Sequence, residues 1–190
     1  MNKLGAIILC CIVVVSSDIA LAQNPPAAPP AAGAAGCAAQ PQIDCSWLTV
    51  DTTAKIATFQ LISGLTSLNG GLNFNGFNEG KLTLTVPANW TVVIRFTNKD
   101  ANLPHSAEVV DTTKPMPAGP VDPPAFARAM SVRLMQGLAA GESDSLKFVA
   151  NKPGSYMIFC AVPGHGLAGM WIRFKVSATD KRPTLAASTT

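Results

Sequence analysis

The chain predicts an all-β fold with one core, and three observations carry that expectation. Glycine and proline number 15 each while aromatic residues make up 6%, which suits short strands joined by tight turns. Apolar and polar residues alternate in a series of short runs between residues 43 and 176, as they do in half-buried strands. The 190 residues, less an export segment and flexible ends, leave room for one compact domain.

The N-terminus reads Met1-Asn2-Lys3, then apolar residues from 4 to 15, then Ser16-Ser17-Asp18 and the small-residue pattern Ala20-Leu21-Ala22. That is the layout of a secretory signal, so residues 1–22 are expected to be removed, with an uncleaved anchor as the alternative. The apolar run of 12 residues is short of the roughly 20 that a spanning helix needs. A lipoprotein would carry a small residue before its modified cysteine, whereas Leu9 precedes Cys10 and Cys10 precedes Cys11. Export sets the expected location: the periplasm or the outer face of the cytoplasmic membrane, with membrane association only through an uncleaved N-terminal segment.

Residues 23–42 form a Pro/Ala-rich linker, with no periodic apolar face to offset the entropy of ordering them. The folded domain is expected over residues 43–176, and residues 177–190 read as a flexible Ser/Thr/Ala tail. Within the domain, Leu82, Leu84 and Val86 alternate with Thr83 and Thr85, and Trp90, Val92, Ile94 and Phe96 repeat the pattern. Pro87-Ala88-Asn89 between them marks a hairpin or a sheet-to-sheet corner. Further strands are expected over 55–63, 104–111, 143–150, 154–160 and 169–176, for six to eight in all, in an antiparallel sandwich or barrel. Residues 124–138 fit neither period: Phe126, Met130 and Leu134 are spaced as on a helix, yet Val132 and Leu134 alternate as in a strand. That stretch reads as a long loop.

Composition excludes several functions. Net charge is +3, with 14 basic and 11 acidic residues and no polybasic patch, so nucleic acid is not an expected partner. Two histidines in the whole chain rule out any multinuclear metal enzyme that needs a large imidazole set. After loss of the signal the cysteines are Cys37, Cys45 and Cys160. In an oxidising compartment Cys37 and Cys45 could close a small disulfide, the alternative being two surface thiols, and Cys160 stands apart.

Strand parity then groups four side chains. His105 shares a face with Ala107 and Val109, Cys160 with Tyr156 and Ile158, and Met170 with Ile172, Phe174 and Val176, while Arg173 and Lys175 face solvent. His165 lies on the loop between Cys160 and Met170. The segment Cys160-Ala-Val-Pro-Gly-His165-Gly-Leu-Ala-Gly-Met170 thus sets a thiolate, an imidazole and a thioether at four-residue gaps on one loop, and His105 supplies a second imidazole. Thiolate and thioether suit Cu(I) and imidazole suits Cu(II), so a His2Cys plane with a weak axial Met tolerates both states of copper. Taken singly, each of these residues is most simply a core or loop residue. Their coincidence points to one mononuclear copper site.

The loop Cys160-x4-His165-x4-Met170, with Gly154-Ser155-Tyr156 before it and Leu103-Pro104-His105-Ser106 upstream, resembles that of the mononuclear blue-copper cupredoxins, and its spacing is like that of rusticyanins and sulfocyanins. Leu72-Asn73-Phe74-Asn75-Gly76 and the strands that follow it are similar to sulfocyanins in particular. The resemblance spans roughly residues 46–176; the Cys37/Cys45 pair and the insertion over 126–138 depart from it. It implies a Greek-key β-sandwich carrying single electrons outside the cytoplasm, with type 1 copper on His105, Cys160, His165 and Met170. It also implies a backbone N–H at Ser106 aimed at the cysteine sulfur. Redox partner proteins would dock on an apolar patch around His165 built from Ala161, Val162, Pro163, Leu167 and Ala168, with Met116 and Pro117 beside it.

Other functions fit less well. A nitrite reductase or multicopper oxidase needs further histidines, and a binuclear centre needs a second cysteine in the ligand loop, where Val162, Pro163 and Gly164 stand instead. A copper-storage or copper-delivery protein on the same fold favours exposed, exchangeable ligands rather than inward ones on strand ends. A Cys/His hydrolase requires an orienting carboxylate, and the ligand loop contains none. An electron carrier rather than an enzyme is the expectation.

Overall fold

The computed structural model describes residues 42–112 and 115–188. The expected signal, the linker up to residue 41 and Cys37 lie outside that range. No helix among the described residues is long and apolar enough to cross a membrane. Among the described residues there are nine strands: β1 (Leu48–Asp51), β2 (Ile56–Ser63), β3 (Leu82–Pro87), β4 (Trp90–Asn98), β5 (Glu108–Asp111), β6 (Ser143–Ala150), β7 (Gly154–Phe159), β8 (Trp171–Ser177) and β9 (Thr184–Ala187). They form two sheets, ordered β1-β2-β4-β6 and β5-β7-β8-β3-β9.

Alternation decides which face of each strand is buried. Along β4, Trp90, Val92, Ile94 and Phe96 point into the core. Phe59 and Leu61 of β2 and Leu146 and Phe148 of β6 extend that layer. Opposite them lie Leu82, Leu84 and Val86 of β3, Ile158 of β7 and Ile172 and Phe174 of β8, all free of solvent. Pro87-Ala88-Asn89 is a corner between the sheets: Ala88 N–H donates to Ser177 O in one sheet (2.8 Å) and Asn89 N–H to Ala150 O in the other (2.8 Å).

Three expectations are corrected. The sandwich is not wholly antiparallel, because β2 pairs parallel with β4 and β3 parallel with β8. The chain crosses to the opposite sheet between β2 and β4, so these neighbours are not joined by a hairpin and nothing forces them to run in opposite senses. The tail expected after residue 176 is not patternless over its described part, residues 177–188: β9 pairs antiparallel with β3 and buries Leu185 completely. One inward side chain in a four-residue strand is too little alternation to register. Finally, β1 also went unread for want of length, and with β9 it raises the strand count above the expected six to eight.

The segment 124–138 is neither helix nor regular strand. It lies along β5: Ala125 N–H donates to Val109 O (2.8 Å), Val109 N–H to Ala129 O (2.9 Å) and Ser131 N–H to Ala107 O (2.8 Å). Phe126 anchors it, stacked on Phe148 at 5.3 Å between centroids and tilted against Tyr156 at 4.7 Å. The segment shields the backbone groups that β5 would otherwise present at a sheet edge. With Val121 and Met116 it also roofs the outer face of β5 and β7, where Val110, Met157, Phe159 and Ala161 form a second, smaller apolar cluster that includes Leu134.

Candidate metal centre

At the end of the sandwich where β7 gives way to β8, the loop from residue 160 to 170 is folded on itself. His165 N–H donates to Val162 O (3.1 Å), Ala168 N–H to Gly164 O (3.0 Å) and Met170 N–H to His165 O (3.0 Å), and Cys160 N–H closes the loop onto Met170 O (3.0 Å). Neighbouring segments clamp it. Asn69 Nδ2 donates to Ala168 O (2.7 Å), Glu79 N–H to Gly169 O (2.8 Å) and Gly164 N–H to Ala118 O (2.9 Å).

His105 arrives from the segment before β5, paired with Leu138 through two backbone hydrogen bonds of 3.1 and 2.7 Å. It is wholly buried, as are Ala107 and Val109, which share its parity and belong to the main core cluster. Cys160 and Met170 are also wholly buried and belong to the main core cluster. His165 is half-buried. Cys160 Sγ lies 3.8 Å from His105 Nδ1 and 3.5 Å from His165 Nδ1, and the two rings are 5.2 Å apart. The three ligand atoms fall within 4.8 Å of one another, the one such His/Cys/Asp/Glu group found among the described residues. Donors held about 2.0–2.3 Å from a shared ion at near-trigonal angles sit roughly 3.5–3.8 Å apart. The donor set and its two sulfur–nitrogen distances therefore fit one mononuclear copper ion.

The electrostatics favour neutral imidazoles and oppose a free thiolate. Burial lowers the pKa of His105 despite the opposing hydrogen bond and charge of Asp100. Burial, with His105 adding to it, lowers that of His165. Burial pushes the Cys160 thiol up, opposed by the backbone N–H groups of Ser106 and Val162 and by the Ser106 hydroxyl. Metal binding must then displace the thiol proton, while the imidazoles are ready to ligate. Ser106 N–H points at Cys160 Sγ across 3.3 Å, as the resemblance implied. Its hydroxyl accepts from Ala161 N–H (3.1 Å) and donates to Leu134 O (2.8 Å), tying the ligand loop to the β5 cover.

Two carboxyl groups near the site were not singled out from sequence. Asp100 Oδ2 accepts from His105 Nε2 at 3.1 Å. Burial alone would raise its pKa, yet the N–H of Asn102, the His105 ring and the N–H of Leu103 together hold it below the usual range. Glu108 is fully buried on the outer face of β5, where both its oxygens accept from Val121 N–H at 3.2 and 3.3 Å. Asp100 five residues before a histidine is visible in the sequence, but a turn rich in Asn and Asp explains it equally well. Glu108 shares its parity with Val110, and its burial depends on the distant Val121, which the sequence pattern does not bring to it. Cys45 is disulfide-bonded, and the pairing expected for it with Cys37 involves a residue outside the described range.

Comparison with known proteins agrees with this geometry. Residues 45–185 match the sulfocyanin (SoxE) domain. The chain belongs to the sulfocyanin domain family. Sulfocyanin from Sulfolobus acidocaldarius is 30% identical over 107 residues, 52% of either chain, so the match spans about half the length of that relative. Among solved structures, a rusticyanin variant superposes with a TM-score of 0.50 at 20% identity, covering 70% of this chain and 89% of that one. Auracyanin from Roseiflexus castenholzii gives a TM-score of 0.46 at 24% identity, covering 67% and 98%. The rusticyanin likeness shows the fold, a cupredoxin β-sandwich. Sulfocyanins are mononuclear blue-copper cupredoxins, and a single type 1 copper is the cofactor that the donor set here fits.

Proposed function

We propose that this sulfocyanin-family domain is an exported one-electron carrier, with type 1 copper held by His105, Cys160, His165 and Met170, and that it catalyses no reaction of its own. The observation that carries the reading is Cys160 Sγ, buried and set 3.5 and 3.8 Å from two imidazole nitrogens. When bound, copper supplies a couple between Cu(I) and Cu(II). The chain's own contribution is rigidity. His105 and Cys160 are held by backbone pairing at their own positions, and the 160–170 loop is locked by its internal hydrogen bonds, so little rearrangement accompanies a change of charge. Ser106 N–H partly offsets the negative charge on the sulfur.

His165 supports a route for the electron, as the most solvent-accessible of the three His/Cys ligands. Around it Pro163, Leu167 and Ala168 are exposed and Val162 is half-buried. The bond from Gly164 N–H to Ala118 O brings the 116–118 segment alongside. An uncharged rim of this size suits the brief encounters of redox partners. Burial of His105, Cys160 and Met170 weighs against copper delivery, which requires ligands that exchange readily.

The test is a visible spectrum of the domain without residues 1–22, with Cu(II) and after reduction. An intense thiolate-to-copper band that bleaches on reduction and is lost in Cys160→Ser is expected. A colourless protein that holds copper loosely, or that prefers zinc, would overturn the reading.

A further inference from the structure

The two oxygens of Asp100 do different jobs. Oδ1 accepts from the backbone N–H of Asn102 (2.8 Å) and of Leu103 (3.1 Å), an Asx turn that shapes the approach to His105. Oδ2 is not needed for that turn and meets His105 Nε2 at 3.1 Å. A carboxylate only accepts, so Nε2 must carry the ring proton, which leaves the Nδ1 lone pair directed at Cys160 and His165.

The surroundings are built to keep that carboxylate in place. Asp100 is 7% exposed. Its N–H donates to Asn98 Oδ1 (2.9 Å), whose amide in turn donates to Leu103 O and Leu138 O (2.9 and 2.8 Å). Two glycines with positive φ leave room for it: a Cβ on Gly71 would come within 2.2 Å of Oδ2, and one on Gly64 within 2.5 Å of the Asp100 Cβ. The loop bearing both glycines is pinned by the Asn73-Phe74-Asn75-Gly76 motif. Asn73 Nδ2 donates to Thr66 O (2.8 Å) and Leu68 O (2.9 Å), Asn73 O accepts from Gly64 N–H (3.1 Å), and Asn75 exchanges hydrogen bonds with Gln60 and Ile62 of β2. The motif contains no ligand, and this cradle accounts for its place in the chain.

We propose that Asp100 is a positioning residue for the metal centre, fixing the His105 tautomer and setting one negative charge beside the copper, and that the 64–76 loop exists in this form to hold it. The proposal deepens the copper reading given above and rests on it.

Asp100→Asn separates this role from the turn. An asparagine keeps one acceptor oxygen: if it serves the turn, its NH2 faces Nε2 and drives the ring proton to Nδ1; if it serves His105, the turn loses its acceptor. Long-range 1H–15N NMR of the copper-free wild-type protein is expected to show His105 protonated on Nε2. Asp100→Asn is expected to disturb that tautomer, to weaken copper binding about 10–100-fold in a chelator competition and to raise the reduction potential. Asp100→Ser, whose hydroxyl can serve the turn but is too short to reach His105, is expected to show the same losses and stands in should the Asn variant not fold. A wild-type His105 protonated on Nδ1, or a folded variant with unchanged tautomer, affinity and potential, would leave Asp100 as a turn residue only and overturn the proposal. A wild-type protein that takes up no copper would sink the electron-carrier reading while the tautomer measurement still judged this one.

Discussion

Ser106 and Cys160 meet through the backbone of one and the sulfur of the other, N–H to Sγ at 3.3 Å. The Ser106 hydroxyl bridges Ala161 N–H and Leu134 O and also lies 3.9 Å from Cys160 Sγ. One residue thus meets the sulfur at shorter range with its main chain and fastens the ligand loop to the cover with its side chain, whose own approach to the sulfur is the longer one. Ser106→Ala keeps the N–H contact and removes the bridge. It strands a buried N–H, so the copper-free domain should lose about 1–3 kcal/mol in a denaturant melt while the charge-transfer band persists. A lost band with unchanged stability would reverse that division of labour.

Met170 is wholly buried and its backbone is bonded to Cys160 and His165 at once. If the Met170 thioether ligates copper as proposed, its weak donation would favour the lower charge of Cu(I). Met170→Leu should raise the reduction potential, because a weak donor is lost, and Met170→Gln should lower it, because a harder oxygen takes its place. Voltammetry showing neither shift would remove Met170 from the coordination sphere.

Leu167 is 57% exposed on the ligand loop, two residues past His165. If redox partners dock on the apolar rim, Leu167→Lys should slow electron transfer to the native partner about tenfold, through roughly 1.4 kcal/mol lost from the encounter, and leave the visible spectrum as it was. An unchanged rate would place the docking surface elsewhere.

Glu108 carries a pH dependence of stability. Burial raises its carboxyl from 4.5 to about 7, opposed by the hydrogen bond from Val121 and assisted by Asp122. Between those values the folded protein keeps a proton that the unfolded chain has released. The contribution is therefore complete below the unfolded value and is lost as pH rises through the folded one. The shift corresponds to about 3 kcal/mol. Denaturant melts at about pH 5 and about pH 8 should show wild type losing stability across that interval relative to Glu108→Gln, whose amide does not titrate. Parallel curves for the two proteins would show that Glu108 ionises freely under its cover.

Much of the metal centre was legible in the chain because its chemistry is local. Cys160, His165 and Met170 sit on one loop, and their spacing follows from covalent connection and strand parity. His105 joined them because a chain with two histidines leaves few candidates. Seven strands announced themselves by alternation for the same reason: the period of a strand is a property of neighbouring residues. Contacts between distant segments decided the rest. The parallel pairings of β2 with β4 and β3 with β8 depend on where the chain crosses between sheets, which no local period records. β9 exists because β3 offers an open edge to four residues too few to form a strand alone. Glu108 is buried where Val121, thirteen residues on, brings its N–H to both carboxyl oxygens, a contact that the period of β5 does not record. Asp100 became a partner of His105 only when two glycines some 30 residues upstream made room for its carboxylate. The sequence by itself determined which atoms can hold a metal; the tertiary structure decided which buried charge stands beside them, because desolvation and hydrogen bonding depend on what packs around a group rather than on its neighbours in the chain.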